Sequence, residues 1–334
     1  MADLDTELQT TNNRPIKSIF FGGGTPSIFS PDAIHNILKG AHQRLTFDDR
    51  IEITMEANPG TFEQKNFSEF KAAGINRLSI GVQSFNDHHL KNIGRIHDSK
   101  QAFTAISTAQ ESGFDNINLD LMFGLPGQST EQAINDVEIA CKQNVQHISH
   151  YQLTIEANTF FHKQPPVTPD METVWKMQNQ CHHTLNEHGF HQYEVSAFSK
   201  PDHQCLHNLN YWNFGDYLGI GAGAHGKITD NGKILRRWKR RQPEDYMNNA
   251  VSNPLSGQSE INSDELIFEF LLNALRLKNG FSYETFEINT GVEKNILIKA
   301  CQGIDAELLI INETGIRTSN KGYRFLNDVL EQFL

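Results

Sequence analysis

From residue 18 onward the chain alternates short β-forming runs with helical stretches, and this rhythm limits the fold more than any other feature of the sequence. The runs are SIFFG at Ser18–Gly22, IEITMEA at Ile51–Ala57, RLSIGV at Arg77–Val82, NINLDLM at Asn116–Met122, HISHYQL at His147–Leu153 and QYEVSA at Gln192–Ala197. Their starts lie 33, 26, 39, 31 and 45 residues apart. Each interval has room for the helical crossover that a parallel strand pair requires. Helix starts stand between them. Ser30-Pro31 and Thr168-Pro169 each set a cap before a first-turn proline. Thr61 with Gln64, Asp98 with Gln101 and Ser129 with Gln132 have capping-box spacing. No G-x-G-x-x-G follows the first run, which counts against an open dinucleotide-binding sheet. The expected fold class is α/β, a partial (β/α)6 TIM-like barrel.

Beyond about residue 198 the rhythm gives way to a glycine- and aromatic-rich stretch, His207 to Gly226. A basic cluster follows, and Asn253-Pro254 to Gln258 reads as a linker. Residues 261–334 offer a helix from about Asp264 to Leu277, another at Lys294–Cys301, a hairpin turning at Glu313–Gly315 and a terminal helix, a winged-helix-like set. The expected divisions are 1–17, a residual N-terminal helix and linker; 18–252, the barrel with its aromatic loop; and 253–334, the winged-helix-like domain.

Charge and cysteine usage exclude several functions. Lys and Arg number 29 against 40 Asp and Glu, a net charge of −11, and the last 74 residues carry 7 basic against 11 acidic side chains. A nucleic-acid binder needs clustered positive charge, so none is expected, and the C-terminal module fits packing against the barrel or a protein partner better. No apolar run approaches the ~18 residues of a membrane span, and residues 1–19 lack the apolar region of a secretory signal, so a cytoplasmic location is expected. Cys141, Cys181, Cys205 and Cys301 stand 40, 24 and 96 residues apart. That spacing encodes neither a zinc ribbon nor a contiguous iron–sulfur loop and leaves reduced thiols.

In a parallel barrel the functional groups gather where strands end. Gly22-Gly23-Gly24-Thr25-Pro26-Ser27 follows the first run, Glu56 and Asn58 close the second, and Gln83-Ser84 follow the third. Asp120 comes late in the fourth, and Gln152 and Thr154 end the fifth. Acids and amides are poor strand formers, so finding one at the same end of four successive strands argues for a shared site. Singly, each has a plain structural reading as a turn glycine, a cap or a surface ion pair. Together, a glycine turn with bare N–H groups and nearby carboxylates and amides suits a small zwitterionic nucleoside.

GGGTPS, ITMEANPGT, RLSIGVQSF, IGRIH, NLDLMFGLPGQS and YQLTIE, in that order, resemble the radical S-adenosylmethionine proteins similar to oxygen-independent coproporphyrinogen III oxidase, and among these the haem-chaperone branch. The resemblance runs from about residue 3 to 334. It implies S-adenosylmethionine held by Gly23, Gly24, Thr25, Glu56, Gln83, Arg95 and Asp120, with Thr154 and His225 nearby. It also implies a 4Fe–4S cluster on C-x3-C-x2-C after the family's first strand, a motif this sequence lacks. ADLDTELQTTNNRPIKSIFFGGG resembles the end of the family's first helix entering its second strand. The expectation is therefore an N-terminal truncation that leaves out the first barrel strand and the cluster ligands, bares one edge of Ser18–Gly22 and lowers solubility.

His207-Asn208-Leu209-Asn210-Tyr211 reads H-N-x-x-Y in an aromatic loop. A histidine in such a place is more often structural, but in the haem-chaperone branch this motif is associated with haem, which makes His207 the expected ligand to haem iron. His203-x-Cys205-x-His207 is a weaker candidate for a metal, with three ligands and no fourth. Arg236-Arg237-Trp238-Lys239-Arg240-Arg241 fits haem propionates, or simply a solvated basic face. The histidine pairs His88-His89 and His182-His183 read as helix-surface residues. The resemblance implies a haem chaperone that delivers haem to a respiratory or other haem protein. The alternative is coproporphyrinogen III oxidation in porphyrin biosynthesis, which requires the absent cluster ligands.

Overall fold

The computed structural model describes residues 1–11, 14–60, 66–157 and 159–334, so the expected Thr61–Gln64 cap lies outside the described residues. A curled sheet of seven strands has the order β1-β2-β3-β4-β5-β7-β6. The strands are β1 (Ile16–Phe21), β2 (Phe47–Ala57), β3 (Arg77–Gln83), β4 (Ile117–Phe123), β5 (His147–Gln152), β6 (His191–Gln192) and β7 (Ala197–Ser199). β2 to β5 pair in parallel, the half-barrel the rhythm implies.

The sixth expected run is the exception. Gln192–Ala197 is not one parallel strand but a fold-back between β6 and β7, both antiparallel to their neighbours. Tyr193 N–H donates to Ala197 C=O at 3.1 Å, and Ser196 Oγ donates to the buried Glu194 carboxylate at 3.0 Å, closing the turn. Alternating residue types there encode a polar corner, not a strand.

Local caps set the helices. Asp98–Gln101 and Ser129–Gln132 form reciprocal capping boxes, and Ser30 Oγ accepts from Ala33 N–H at 3.2 Å. The start expected at Thr168-Pro169 lies further along: Asp170 caps Met171–Glu187, accepting from Thr173 N–H at 2.8 Å. A carboxylate is the stronger partner for a helix N-terminus.

Period-two alternation sorts the strands into two faces. Met55, Leu78, Ile80, Val82, Leu119, Leu121 and Ile148 are fully buried and pack with Ala105, Val137 and Met177 of the covering helices into one apolar core. The opposite face carries Glu52, Thr54 and Glu56 on β2; Arg77, Ser79, Gly81 and Gln83 on β3; Asn118 and Asp120 on β4; and His147, Ser149 and Tyr151 on β5. Closed (β/α)8 barrels fill that interior with branched apolar layers. Here it is a polar lining that ends among the loops.

The chain forms two compact units, one of Ser18–Leu38 and Arg50–Cys205, the other of Met1–Lys17, Lys39–Asp49 and Leu206–Leu334. In the second, β8 (His225–Asp230), β9 (Lys233–Lys239) and β10 (Leu255–Glu260) form an antiparallel sheet. The expected linker after Pro254 is therefore mostly strand. Its polar, glycine-containing sequence suits an exposed outer strand, which takes up its extra residue in a bulge between Leu255 and Gly257. Residues 261–334 run helix (Ser263–Ala274), β11 (Phe281–Ser282), helices Tyr283–Thr290 and Lys294–Cys301, then β12 (Leu309–Ile311) and β13 (Gly315–Thr318), a winged-helix order. Phe270, Leu271, Phe286 and Leu297 fill their core. Two short helices, Asn320–Arg324 and Leu326–Glu331, follow. Among the described residues no helix is long and apolar enough to cross a membrane.

Candidate functional site

At the carboxyl ends of β1 to β5 the polar face opens among loops. Gly23 and Gly24 leave β1 in the left-handed region, φ +74° and +60°, with open space where a Cβ would stand. That geometry turns Gly23 N–H onto Glu56 Oε2 at 3.2 Å. Thr25 precedes the short turn Pro26–Ile28, its backbone C=O accepting from Ile28 N–H at 3.1 Å. Gln83, buried and itself at φ +67°, sits where the β3–β4 register slips, and its Oε1 accepts from the Tyr151 hydroxyl at 2.8 Å.

The electrostatics of the group are shared. Burial raises the Glu56 carboxyl above its ordinary range; the Gly23 bond opposes this and the charge of Asp120 adds to it. Burial likewise raises Asp120, against donors from Asn118, Ser79 and Ser149 and the charge of Arg77. Tyr151 is raised by burial and then by Asp120, while Arg95 pulls it down. Tyr151 thus senses Asp120, Arg95, Gln83 and Glu56 together. Two carboxylates held in one mouth favour a cationic ligand, and the exposed Arg95 guanidinium offers a fork for a carboxylate.

Thr154 is exposed and donates to its neighbour Glu156 at 2.9 Å, apart from this group. Gln152 points away, since the inward positions of β5 are the odd ones. Sequence reasoning missed Tyr151, Ser79, Asn118, His147 and Ser149; counting by twos back from Glu56 and Asp120 and across the register would have found them.

The remaining candidates lie in the second unit. His225 is exposed at the start of β8, opposite Trp238, and with Gly223 and Arg241 lines a recess of about 530 Å³. The H-N-x-x-Y motif lies on the helix Leu206–Trp212, not in a loop. The i,i+4 spacing accounts for this, because it puts His207 and Tyr211 on one face with ring centroids 5.0 Å apart. Tyr211 in turn stacks on Tyr217 at 4.3 Å. The cavity beside them, lined by Phe214, Lys227 and Arg236 among others, holds about 80 Å³. That is far below the hundreds of Å³ of an enclosed ligand site, so this cavity does not hold a porphyrin.

The basic cluster is mostly neutralised rather than solvated. Arg236 pairs with Glu269, Arg237 and Lys239 with the acids of the N-terminal helix Ala2–Glu7, and Arg240 with Asp245. His89 is buried, not on the surface, with its ring 3.2 Å from Gln132 Oε1. Among the described residues no three His, Cys, Asp or Glu side chains are arranged to hold a metal ion. Burial pushes the thiols of Cys141, Cys181 and Cys301 up to about 12, and Cys205 Sγ donates to Glu52. Among the described residues these four cysteines do not converge, so they do not fit a 4Fe–4S cluster.

Comparison with known proteins shows the family and the fold. Residues 2–140 match the radical SAM superfamily. The fold is that of coproporphyrinogen III oxidase HemN from Escherichia coli, with a TM-score of 0.80 at 20% identity over 99% of this chain and 80% of that one. The chain thus carries a radical SAM domain within a HemN-like fold. The chain is 44% identical to heme chaperone HemW of Buchnera aphidicola subsp. Acyrthosiphon pisum, covering 100% of this chain and 88% of the relative. Against heme chaperone HemW of E. coli it is 43% identical over 99% and 88%. The Bacillus subtilis heme chaperone HemW is 33% identical over 99% and 89%. The chain belongs to the HemW family of heme chaperones.

Proposed function

We propose that this protein is a haem chaperone that binds S-adenosylmethionine in the mouth of its half-barrel and passes haem from His207 to a haem-accepting protein, respiratory or other. The observation that supports the adenosyl site best is the convergence of Gly23, Glu56, Gln83 and Asp120, with two raised carboxylates at its centre. Bound there, S-adenosylmethionine supplies a sulfonium cation and an adenosyl group. Glu56 and Asp120 balance the cationic end and accept from hydroxyls. The Gly24 and Thr25 backbone meets the amino-acid moiety, and Arg95 takes its carboxylate in a forked contact. The small size of the cavity beside the His207 helix suits a carrier, because a ligand held on a surface leaves easily.

Calorimetry with S-adenosylmethionine tests the first half. A cation beside carboxylates favours their charged form, so affinity is complete above their folded pKa values and falls as pH drops through them. Both values are raised, so the fall shows in the pH range above that of ordinary carboxylates. Glu56→Gln flattens the curve; a wild-type affinity independent of pH over that range counts against the carboxylates as partners.

Gly24→Ala puts a methyl group into the open space at φ +60°. A left-handed L-residue costs about 1 kcal/mol in stability. The affinity loss is larger, about tenfold or more, because the methyl stands where the ligand's backbone contacts form. Paired melts and titrations separate the two effects, and an unchanged Kd removes this loop from the site.

A further inference from the structure

Within the polar lining, groups from three strands and two connecting segments join into one hydrogen-bond chain. Cys205 N–H donates to the Tyr193 hydroxyl oxygen at 3.3 Å, and that hydroxyl lies 2.9 Å from His147 Nε2. His147 Nδ1 lies 2.6 Å from Asn118 Oδ1. Asn118 Nδ2 donates to Asp120 Oδ1 and to Ser79 Oγ, both at 2.8 Å, and Ser79 donates on to Asp120 Oδ2 at 3.1 Å. Ser149 Oγ also donates to Asn118 Oδ1, at 3.1 Å.

The directions follow from valence. An ionised Asp120 only accepts, so Asn118 turns its NH2 toward it and leaves Oδ1 facing the histidine. Oδ1 in turn demands a donor, so His147 carries its proton on Nδ1, and its bare Nε2 accepts from Tyr193. Burial, with Arg77 nearby, keeps the ring neutral. A flipped Asn118 would set one acceptor against the Asp120 carboxylate and leave two donors facing Ser149 and the histidine.

We propose that His147 is a positioning residue for Asp120: by donating from Nδ1 it locks the Asn118 amide, which presents the Asp120 carboxylate in one orientation to the hydroxyls of a nucleoside ligand. The ligand half rests on the adenosyl reading above; the wiring does not. The other charged and titratable groups facing Asp120 are Glu56 from β2, Arg77 from β3 and Tyr151 from β5. All three stay in place when His147 is changed, so a shift reports the histidine.

The test follows Asp120 by carboxyl-labelled aspartate NMR in the full chain, alongside S-adenosylmethionine calorimetry. In His147→Leu the Asn118 amide loses its lock, the Asp120 midpoint rises, and affinity at neutral pH falls about tenfold, the worth of one charge-assisted hydrogen bond. His147→Asn, whose amide nitrogen takes the place of Nδ1, recovers most of both. An Asp120 midpoint unmoved in a folded His147→Leu protein overturns the proposal. Should that variant not fold, ring 15N shifts of the unaltered protein decide the matter. Protonated Nδ1 with bare Nε2 from about pH 5 to 8 supports the wiring, and a protonated Nε2 overturns it. If the midpoint moves while wild type binds no S-adenosylmethionine, the wiring stands and the ligand reading fails.

Discussion

Lys239→Met is expected to cost about 3–5 kcal/mol of folding stability, the loss typical of leaving a buried charge without its partner. Lys239 is 3% exposed and contacts both Asp3 and Glu7 of the N-terminal helix, each 2% exposed. Arg237 adds a second cation 3.0 Å from Glu7, and Tyr246 donates to Asp3 at 2.6 Å. Two acids and two cations balance inside one unit. Removing the lysine leaves two carboxylates facing one guanidinium, with little water to screen them. Since a domain's net stability is about 5–15 kcal/mol, the variant loses a large part of its margin. Urea titration measures this. The exposed pair Lys233–Glu260 is the control, and Lys233→Met should change stability by less than about 1 kcal/mol. Adding Asp3→Asn to Lys239→Met should restore part of the loss, because it removes the carboxylate that lost its cation and keeps the Arg237–Glu7 pair intact. Equal effects at Lys239 and Lys233 would show that the cluster is solvated after all.

That cluster also marks the limit of what the sequence reveals. Asp3 and Glu7 are four apart on a helix, Arg237 and Lys239 two apart on a strand, so each pair shares a face. Nothing local says the faces meet, because more than two hundred residues separate them. The basic run therefore reads as a surface when two of its six residues, Arg237 and Lys239, are buried. The βα rhythm was legible because period and spacing are local, and so were the capping boxes at Asp98 and Ser129. The mouth was half legible: Glu56, Gln83 and Asp120 stand out as polar tips on apolar strands. Arg77, Asn118 and His147 sit deeper and look like ordinary polar residues until strand parity and register align them. β10 escaped because a polar strand with a bulge has the composition of a linker. The helix carrying His207 escaped because aromatic and asparagine content masked its i,i+4 pattern.

That helix carries the other large expectation. His207→Ala should weaken haem binding at least about a hundredfold and abolish the ligand-dependent part of the Soret band. Even the outer partners of metal ligands are worth 10–100-fold, and a direct ligand is worth no less. Tyr211 and Tyr217 form a stacked pair beside the imidazole, and the cavity next to them is too small for a porphyrin, so haem on His207 is expected to sit on an open surface. On such a surface few apolar contacts can replace the iron–nitrogen bond, so its loss is not masked by burial as it would be in an enclosed pocket. Tyr211→Phe keeps the stacking and should change affinity only slightly. His183→Ala removes an exposed histidine that faces Glu187 and should change nothing, which corrects for haem adsorbed non-specifically. Spectra and affinities that are the same in wild type and His207→Ala would move the iron ligand elsewhere, and with it the step from which haem is handed on.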